Sequence, residues 1–321
     1  ADQANAIKRD APVMVVIGNP PYSVSSTNKS PWIESLTADY KKDMKERNIQ
    51  PLSDDYIKFI RFGQHFMDKN GSGVLAYISN NSFIDGIIHR QMRKHLLESF
   101  DKIYILDLHG NAKKKEICPD GSPDQNVFDI MAGVSINLFI KTGNKKANEL
   151  GEVFNYDLYG KREFKYDFLN ENSFSNLNWK ELKPNHPNLF FVTKNELVRS
   201  KYEMGFSIND LFNVGATGVI TERDALTIHH EEKTLLEIIE QLKLLETEDF
   251  RNKYTPKPDG RDWKVSYAKN DVLKNDGVVT DILYRPFDVR KTYYTGKSKG
   301  FMAYPRNEVM LHMVKDNLGL C

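Results

Sequence analysis

The stretch Val15–Ser23 reads VVIGNPPYS, and the fold is read outward from it. Val13–Ile17 (VMVVI) is an unbroken apolar run closed by Gly-Asn-Pro, the pattern expected of a buried strand in a parallel sheet. Sheets of that kind present ligands to the loops leaving the carboxyl ends of their strands. The loop leaving this strand is Asn19-Pro20-Pro21-Tyr22. Proline fixes φ near about −65° and donates no N–H, so two in succession make a stiff loop rich in acceptors.

The residues after it alternate strands and helices as far as Lys141. A helix opens at Ser53-Asp54-Asp55, with Tyr56, Ile57, Phe59, Ile60, Phe66 and Met67 at helical spacing, and Gly71 lies just past its end. Val74–Ile78 (VLAYI) reads as a second buried strand, 84–100 as a helix and Ile103–Leu108 as a third strand. A Gly/Pro/Asn-rich excursion, 109–129, precedes a fourth strand at Val134–Ile140. No helix separates the third and fourth strands, so the fourth is expected to run antiparallel. This rhythm is that of an α/β, doubly wound sheet. Beyond residue 148 the chain turns aromatic, charged and turn-rich. Residues 1–148 are therefore expected to form one domain, 149–206 a linker or bridging segment, and 207–321 a second, mixed α+β domain. In that second domain Leu235, Ile238, Ile239, Leu242 and Leu245 make one apolar helix face.

Composition bounds the function without naming it. With 28% charged and 11% aromatic residues over 321 positions, the chain is long enough for two domains with a sizeable core. A net charge of +1 neither requires nor excludes a nucleic-acid partner. Cys118 and Cys321 are the two cysteines and share no metal-ligand spacing, so a disulfide scaffold and a metal site are not expected. No apolar run approaches the ~18 residues of a membrane span, and no membrane partner is expected.

The chemistry resides in the Asn-Pro-Pro-Tyr loop. The Asn19 side-chain oxygen and the loop carbonyls are acceptors that can converge on an exocyclic amine, while Tyr22 lies against the attached ring. Such an amine on a nucleobase is a poor nucleophile, because its lone pair is delocalised into the ring. Holding both N–H groups favours a pyramidal nitrogen, so positioning and electrostatics replace a strong base. Taken as Asn-Pro-Pro alone, the motif reads rather as a tight turn ending a strand.

Its context resembles a known family. NPPY after VVIG is similar to motif IV of S-adenosylmethionine-dependent amino-methyltransferases, in the form typical of N6-adenine DNA methylation. DDYIKFIRFGQHF, GSGVLAYISNNSFIDG, FDKIYILDLHGN, QNVFDIMAGVSINLFIKTG, LFNVGATGVITERDA and YRPFDVRKTYY follow in matching order. Together they resemble the γ-class methyltransferase and target-recognition regions of Type ISP and Type IIG restriction–modification enzymes.

The resemblance implies the C-terminal half of a Rossmann-like methyltransferase sheet, followed by part of a DNA target-recognition domain. It implies that Asn19 and the Pro20 carbonyl hold adenine N6, that Pro21 stiffens the loop, and that Tyr22 stacks on a base flipped out of double-stranded DNA. Phe139, in NLFIKTG, takes the place of the aromatic on the other side of the base. Asn19, Tyr56 and Phe59 are set against the cofactor. In the recognition domain Thr217, Thr221, Arg223, Arg261, Lys264, Arg285, Arg290 and Lys291 are the candidate DNA contacts.

In this family a glycine-rich cofactor loop precedes NPPY, whereas the 18 residues before Asn19 contain none. The chain is therefore expected to lack the cofactor-handling half, to be inactive by itself, and to be accompanied in the intact bacterial, cytoplasmic enzyme by that half and by nuclease and helicase domains. The alternatives are an N4-cytosine methyltransferase, a protein-glutamine methyltransferase and a DNA-specificity module without chemistry. The second is disfavoured by the roughly 300 residues that follow the motif.

Overall fold

Gly63 shows why the first layers pack as they do. A Cβ there would meet Leu75 Cδ1 at 2.5 Å, so glycine lets its helix lie this close to the neighbouring strand without displacing that side chain. The computed structural model describes residue 3 and residues 11–23, 26–46, 48–146 and 148–317; Cys321 and most of the first ten residues lie outside them. The chain divides into two units, 1–196 and 197–321.

The first unit is α/β. Its strands are β1 (Val15–Gly18), β2 (Gly73–Asn80), β3 (Lys102–Asp107), β4 (Val134–Lys141), β5 (Glu152–Asp157) and β6 (Lys180–Leu182), in the sheet order β1-β2-β4-β3-β5-β6. β1 pairs parallel with β2 and β3 with β5, while β4 runs antiparallel to both β2 and β3. Strands β1, β2, β3 and β5 therefore all point one way, and the loops leaving them share one edge of the sheet, called here the carboxyl edge. The expected antiparallel fourth strand is present, inserted between β2 and β3.

Helices α1 (Pro31–Lys41), α2 (Asp55–Asn70) and α3 (Arg90–Ser99) cover one face of this sheet. Helix α2 ends where expected: Gly71 adopts φ +78° and donates its N–H to the Met67 carbonyl at 3.0 Å. Tyr56, Ile57, Ile60 and Met67 enter the main core with Leu75, Ile103, Phe139 and Phe191. The single helix expected over 84–100 is instead broken at Gly86 into a one-turn helix, Ser82–Asp85, a short 3₁₀ turn and α3. The break is held by Arg93, buried, whose Nη1 donates to the Phe83 and Gly86 carbonyls at 2.6 and 2.8 Å.

Two expectations are corrected here. β1 is not buried: among the described residues it sits at the end of the sheet with β2 as its one neighbour, and Val15 is 62% and Ile17 79% exposed. And 149–206 is no simple linker. β5 and β6, with the helix α4 (Arg162–Glu171) between them, extend the same sheet: Val153 alternates into the core and Tyr104 stacks on Phe154 across the β3–β5 pair at 4.7 Å.

The second unit is α+β. β7 (Ile228–His229), β8 (Val278–Arg285) and β9 (Asp288–Tyr294) form an antiparallel sheet in the order β7-β9-β8. Helices α5 (Glu232–Leu244), α6 (Thr247–Tyr254) and α7 (Val265–Lys274) pack around Trp263. Four residues of the apolar stripe read from the sequence, Leu235, Ile238, Ile239 and Leu242, are the buried face of α5, and Leu245, half-buried, caps its end.

Candidate functional site

The Asn-Pro-Pro-Tyr loop leaves β1 at the carboxyl edge and is anchored on the first turn of α2. Ser23 N donates to Asp54 Oδ1 at 2.7 Å, and Asp55 N donates back to the Ser23 carbonyl at 3.3 Å. Ser26 Oγ donates to Asp55 Oδ1, and Lys58, buried inside α2, donates to Ser26 Oγ at 3.0 Å. Burial raises the Asp54 carboxyl above its ordinary value, against the hydrogen bond from Ser23. These bonds fix the loop from its far side and leave its tip open.

At that tip Pro20 is buried while Asn19 and Pro21 are exposed. Tyr22 is half-buried, edge-on to Tyr56 with ring centroids 6.2 Å apart. Its hydroxyl lies 3.5 Å from Asn19 Oδ1, the outer limit of a hydrogen bond, so the amide oxygen is given up to a stronger donor at little cost. Burial, and then the Asp54 carboxylate, push the Tyr22 phenol up to about 12, so the ring stays neutral. The residues expected to act on an amine are therefore together, and two of them face solvent.

Phe139 is a correction. It is fully buried on β4, opposite Leu75 and Ile103 near the starts of β2 and β3, and packs on Phe100 at 5.3 Å and Phe83 at 6.4 Å. It belongs to the main core, against whose edge Tyr22 also packs, and its own ring has no open face. Sequence reasoning passed over Phe128. It is half-buried in the excursion between β3 and β4, lines a cleft of about 580 Å³, and packs on the same small cluster of Leu106, Leu108, Val127 and Val134 as Tyr22 does. Its signal was the Asn126-Val127-Phe128 turn, in which Asn126 Oδ1 accepts from Phe128 N at 2.9 Å.

The two aromatics of α2 separate cleanly. Tyr56 is in the core, its hydroxyl without a hydrogen-bond partner among the described residues and its phenol driven well above the ordinary value by burial. It supports Tyr22 and is not open to a ligand. Phe59 is 39% exposed and lines a second cleft, of about 250 Å³, with Trp32 and Phe62. Trp32 meets Phe62 edge-on at 5.7 Å.

A network absent from the sequence reading closes the carboxyl edge after β3. His109, at φ +51° and buried, places Nδ1 3.0 Å from Glu116 Oε1 and Nε2 3.0 Å from Asp157 Oδ1, and its ring stacks on Tyr159 at 3.8 Å. Burial works against its charge, but the hydrogen bonds to Asp157 and Glu116 and the field of Asp107 raise it to about 10. Asp107, His109 and Asp157 also have the spacing of a metal-ligand group. With both ring nitrogens spent on carboxylates, the arrangement is that of a clamped imidazolium. Asp107 is further satisfied by Asn81 Nδ2 at 2.9 Å and His109 N at 3.0 Å.

In the second unit the candidate contacts divide. Thr217, Arg261 and Arg285 are exposed, although Arg261 is paired with Asp262 at 2.7 Å. Lys264 is half-buried, over the Tyr267 ring at 5.1 Å. Arg290 is held by Asp288 at 2.8 Å and lies 4.3 Å from the Tyr284 ring centre, and Lys291 is held by Asp281 at 2.6 Å. Thr221 and Arg223 do not face solvent. Thr221 bonds Asp224, and Arg223 lies over the buried Trp263 ring at 4.6 Å and donates to the Pro258 carbonyl. Both brace the second core, which corrects their assignment as free contacts.

Comparison with known proteins adds to this geometry. Residues 7–113 match the family model described as Eco57I restriction-modification methylase, and residues 210–321 match the Type ISP C-terminal specificity domain. No curated protein matches the chain. Among solved structures, the cryoEM structure of a DrdV–DNA complex is similar at TM-score 0.61 and 23% identity, over 94% of this chain and 32% of that one. The ATP-dependent Type ISP restriction-modification enzyme LlaBIII bound to DNA gives 0.62 and 23%, over 91% and 21%. A nuclease-deletion mutant of the Type ISP enzyme LlaGI, in complex with a DNA substrate mimic, gives 0.61 and 21%, over 91% and 31%. The chain thus spans between about a fifth and a third of the length of these solved proteins. It carries the pattern of the Eco57I restriction-modification methylase family over 7–113 and of the Type ISP C-terminal specificity domain over 210–321, on a fold it shares with restriction–modification enzymes.

Proposed function

We propose that the chain is the target-handling part of a restriction–modification enzyme that methylates N6 of an adenine flipped out of duplex DNA. The observation that carries this reading is the Asn19–Tyr22 loop: a stiff turn at the carboxyl edge with the Asn19 amide open to solvent, the buried Pro20 next to it and an aromatic ring fixed beside them. Asn19 Oδ1 and the Pro20 carbonyl accept the two N–H bonds of the amine. The nitrogen lone pair is thereby turned out of conjugation, and the proton released on transfer leaves by way of the Asn19 oxygen to water. Tyr22 and Phe128 supply apolar surface for the extruded base, whose unstacking costs a few kcal/mol. Neutral Tyr22 is suited to this over the whole working pH range.

S-adenosylmethionine supplies an electrophilic methyl group. The residues present fit part of it: the exposed Phe59 face, with Trp32 and Phe62 beside it, suits an adenine ring, and Asn19 stands at the amine. These aromatics offer one wall, so the chain by itself is expected to hold the cofactor weakly and to be inactive. The match of 210–321 to a specificity domain supports DNA recognition by the second unit, with Thr217, Arg261, Lys264, Arg285, Arg290 and Lys291 as contacts. Nucleoside mass spectrometry of DNA treated with the full-length enzyme and labelled cofactor tests the reading. N6-methyladenine is expected; N4-methylcytosine, or label on protein alone, would sink it.

A further inference from the structure

Three consecutive lysines, Lys113, Lys114 and Lys115, lie exposed on the turn that follows β3 at the carboxyl edge, and the function proposed above uses none of them. The turn is braced from several directions. Asn111 Oδ1 accepts from Lys114 N at 3.1 Å, Asn111 N donates to Glu116 Oε2 at 2.9 Å, and Ala112 N donates to the Met131 carbonyl at 3.1 Å. Glu116 is itself held by the His109 imidazolium. Lys114 reaches across to Asp85, in the segment after β2, at 3.1 Å. Among the described residues neither Lys113 nor Lys115 has an ion-pair partner, and Lys115, at φ +51°, stands at the mouth of the 580 Å³ cleft that Phe128 lines.

We propose that Lys113 and Lys115 bind phosphates of duplex DNA beside the base that enters the carboxyl edge. The proposal rests on the reading of that edge as the base-entry site. A lysine ammonium is a compact charge that suits a phosphate oxygen and carries no base readout. Because the turn is already rigid, docking a phosphodiester on it orders little more than two side chains. The net charge of +1 over the whole chain makes this a local device and not a property of the overall field.

The test is the salt dependence of binding by the full-length protein to a fluorescein-labelled duplex of mixed sequence. Each phosphate contact contributes about 0.9 to the slope of log affinity against log salt, so K113A/K115A is expected to lower that slope by about 1.8. It should also weaken binding roughly tenfold at low salt, alike on all duplexes. K113R/K115R should retain both slope and affinity. K69A/K146A, which removes two exposed lysines at the opposite edge of the sheet, should leave the slope unchanged. An unchanged slope in K113A/K115A, or an equal fall in K69A/K146A, overturns the assignment. Failure of the unaltered protein to bind duplex DNA overturns the proposed function itself.

Discussion

At the scale of single residues, Asn19 and the pair Phe128 and Phe139 carry the most informative differences. On the function proposed above, Asn19→Ala removes an acceptor that matters most as the amine pyramidalises, so methylation by the full-length enzyme should fall by at least about 10²-fold. DNA affinity should change less than about twofold, because base and phosphate contacts made elsewhere are intact. Single-turnover kinetics beside a binding titration separate the two, and near-normal turnover would remove Asn19 from the mechanism. The two phenylalanines should fail in opposite ways. Phe139→Ala empties a fully buried site between Phe83 and Phe100 and should cost about 3–5 kcal/mol of stability. Phe128→Ala opens a half-exposed surface and should cost less than about 1.5 kcal/mol while lowering methylation. Chemical denaturation of both variants, with activity measured on the same samples, tells a core residue from a substrate-facing one. Inactive Phe139→Ala with unchanged stability would reverse these roles.

At the scale of elements, the excursion between β3 and β4 is a structured loop tied down by buried charge. Asp124 accepts from Gly110 N at 2.6 Å and Gly160 N at 2.8 Å, and pairs with Lys165 at 2.8 Å, both side chains fully buried. Lys165→Met leaves that carboxylate unpaired and should cost about 3–5 kcal/mol, read from the denaturation midpoint. The His109 clamp adds a pH dependence whose sign is fixed by its raised value of about 10. Its contribution to stability is fully present below the ordinary histidine value of about 6.5 and is lost as pH rises toward 10. The stability gap between the unaltered chain and His109→Gln should therefore narrow between pH 6.5 and 10. A gap that stays flat over that window would show that the imidazole is held neutral. Sequence periodicity identified β2, β3, β4 and α2 but passed over this loop, because its order comes from hydrogen bonds among polar residues up to 48 positions apart.

At the scale of the whole molecule, two units with separate cores imply separate stability. Residues 200–218 are exposed throughout, between the first sheet and the elements of the second core along the chain. Limited proteolysis should cut there first and leave two resistant fragments close to the division at 196/197. Early cleavage within 109–131 instead would contradict the bracing described for the excursion.

Much of this was legible in the sequence. Alternating apolar runs announced the α/β order of the first unit, the two prolines announced a stiff loop, and the apolar stripe announced α5, because each depends on local spacing and backbone chemistry. The tertiary structure alone decided the rest. It put β1 at the end of the sheet and joined β5 and β6 to it, and it turned Tyr56, Thr221 and Arg223 inward. It also buried Phe139 and left Phe128 lining a cleft, and an aromatic side chain reads the same in one dimension whether it does the one or the other. Which of the two it does depends on what the remaining chain packs against it.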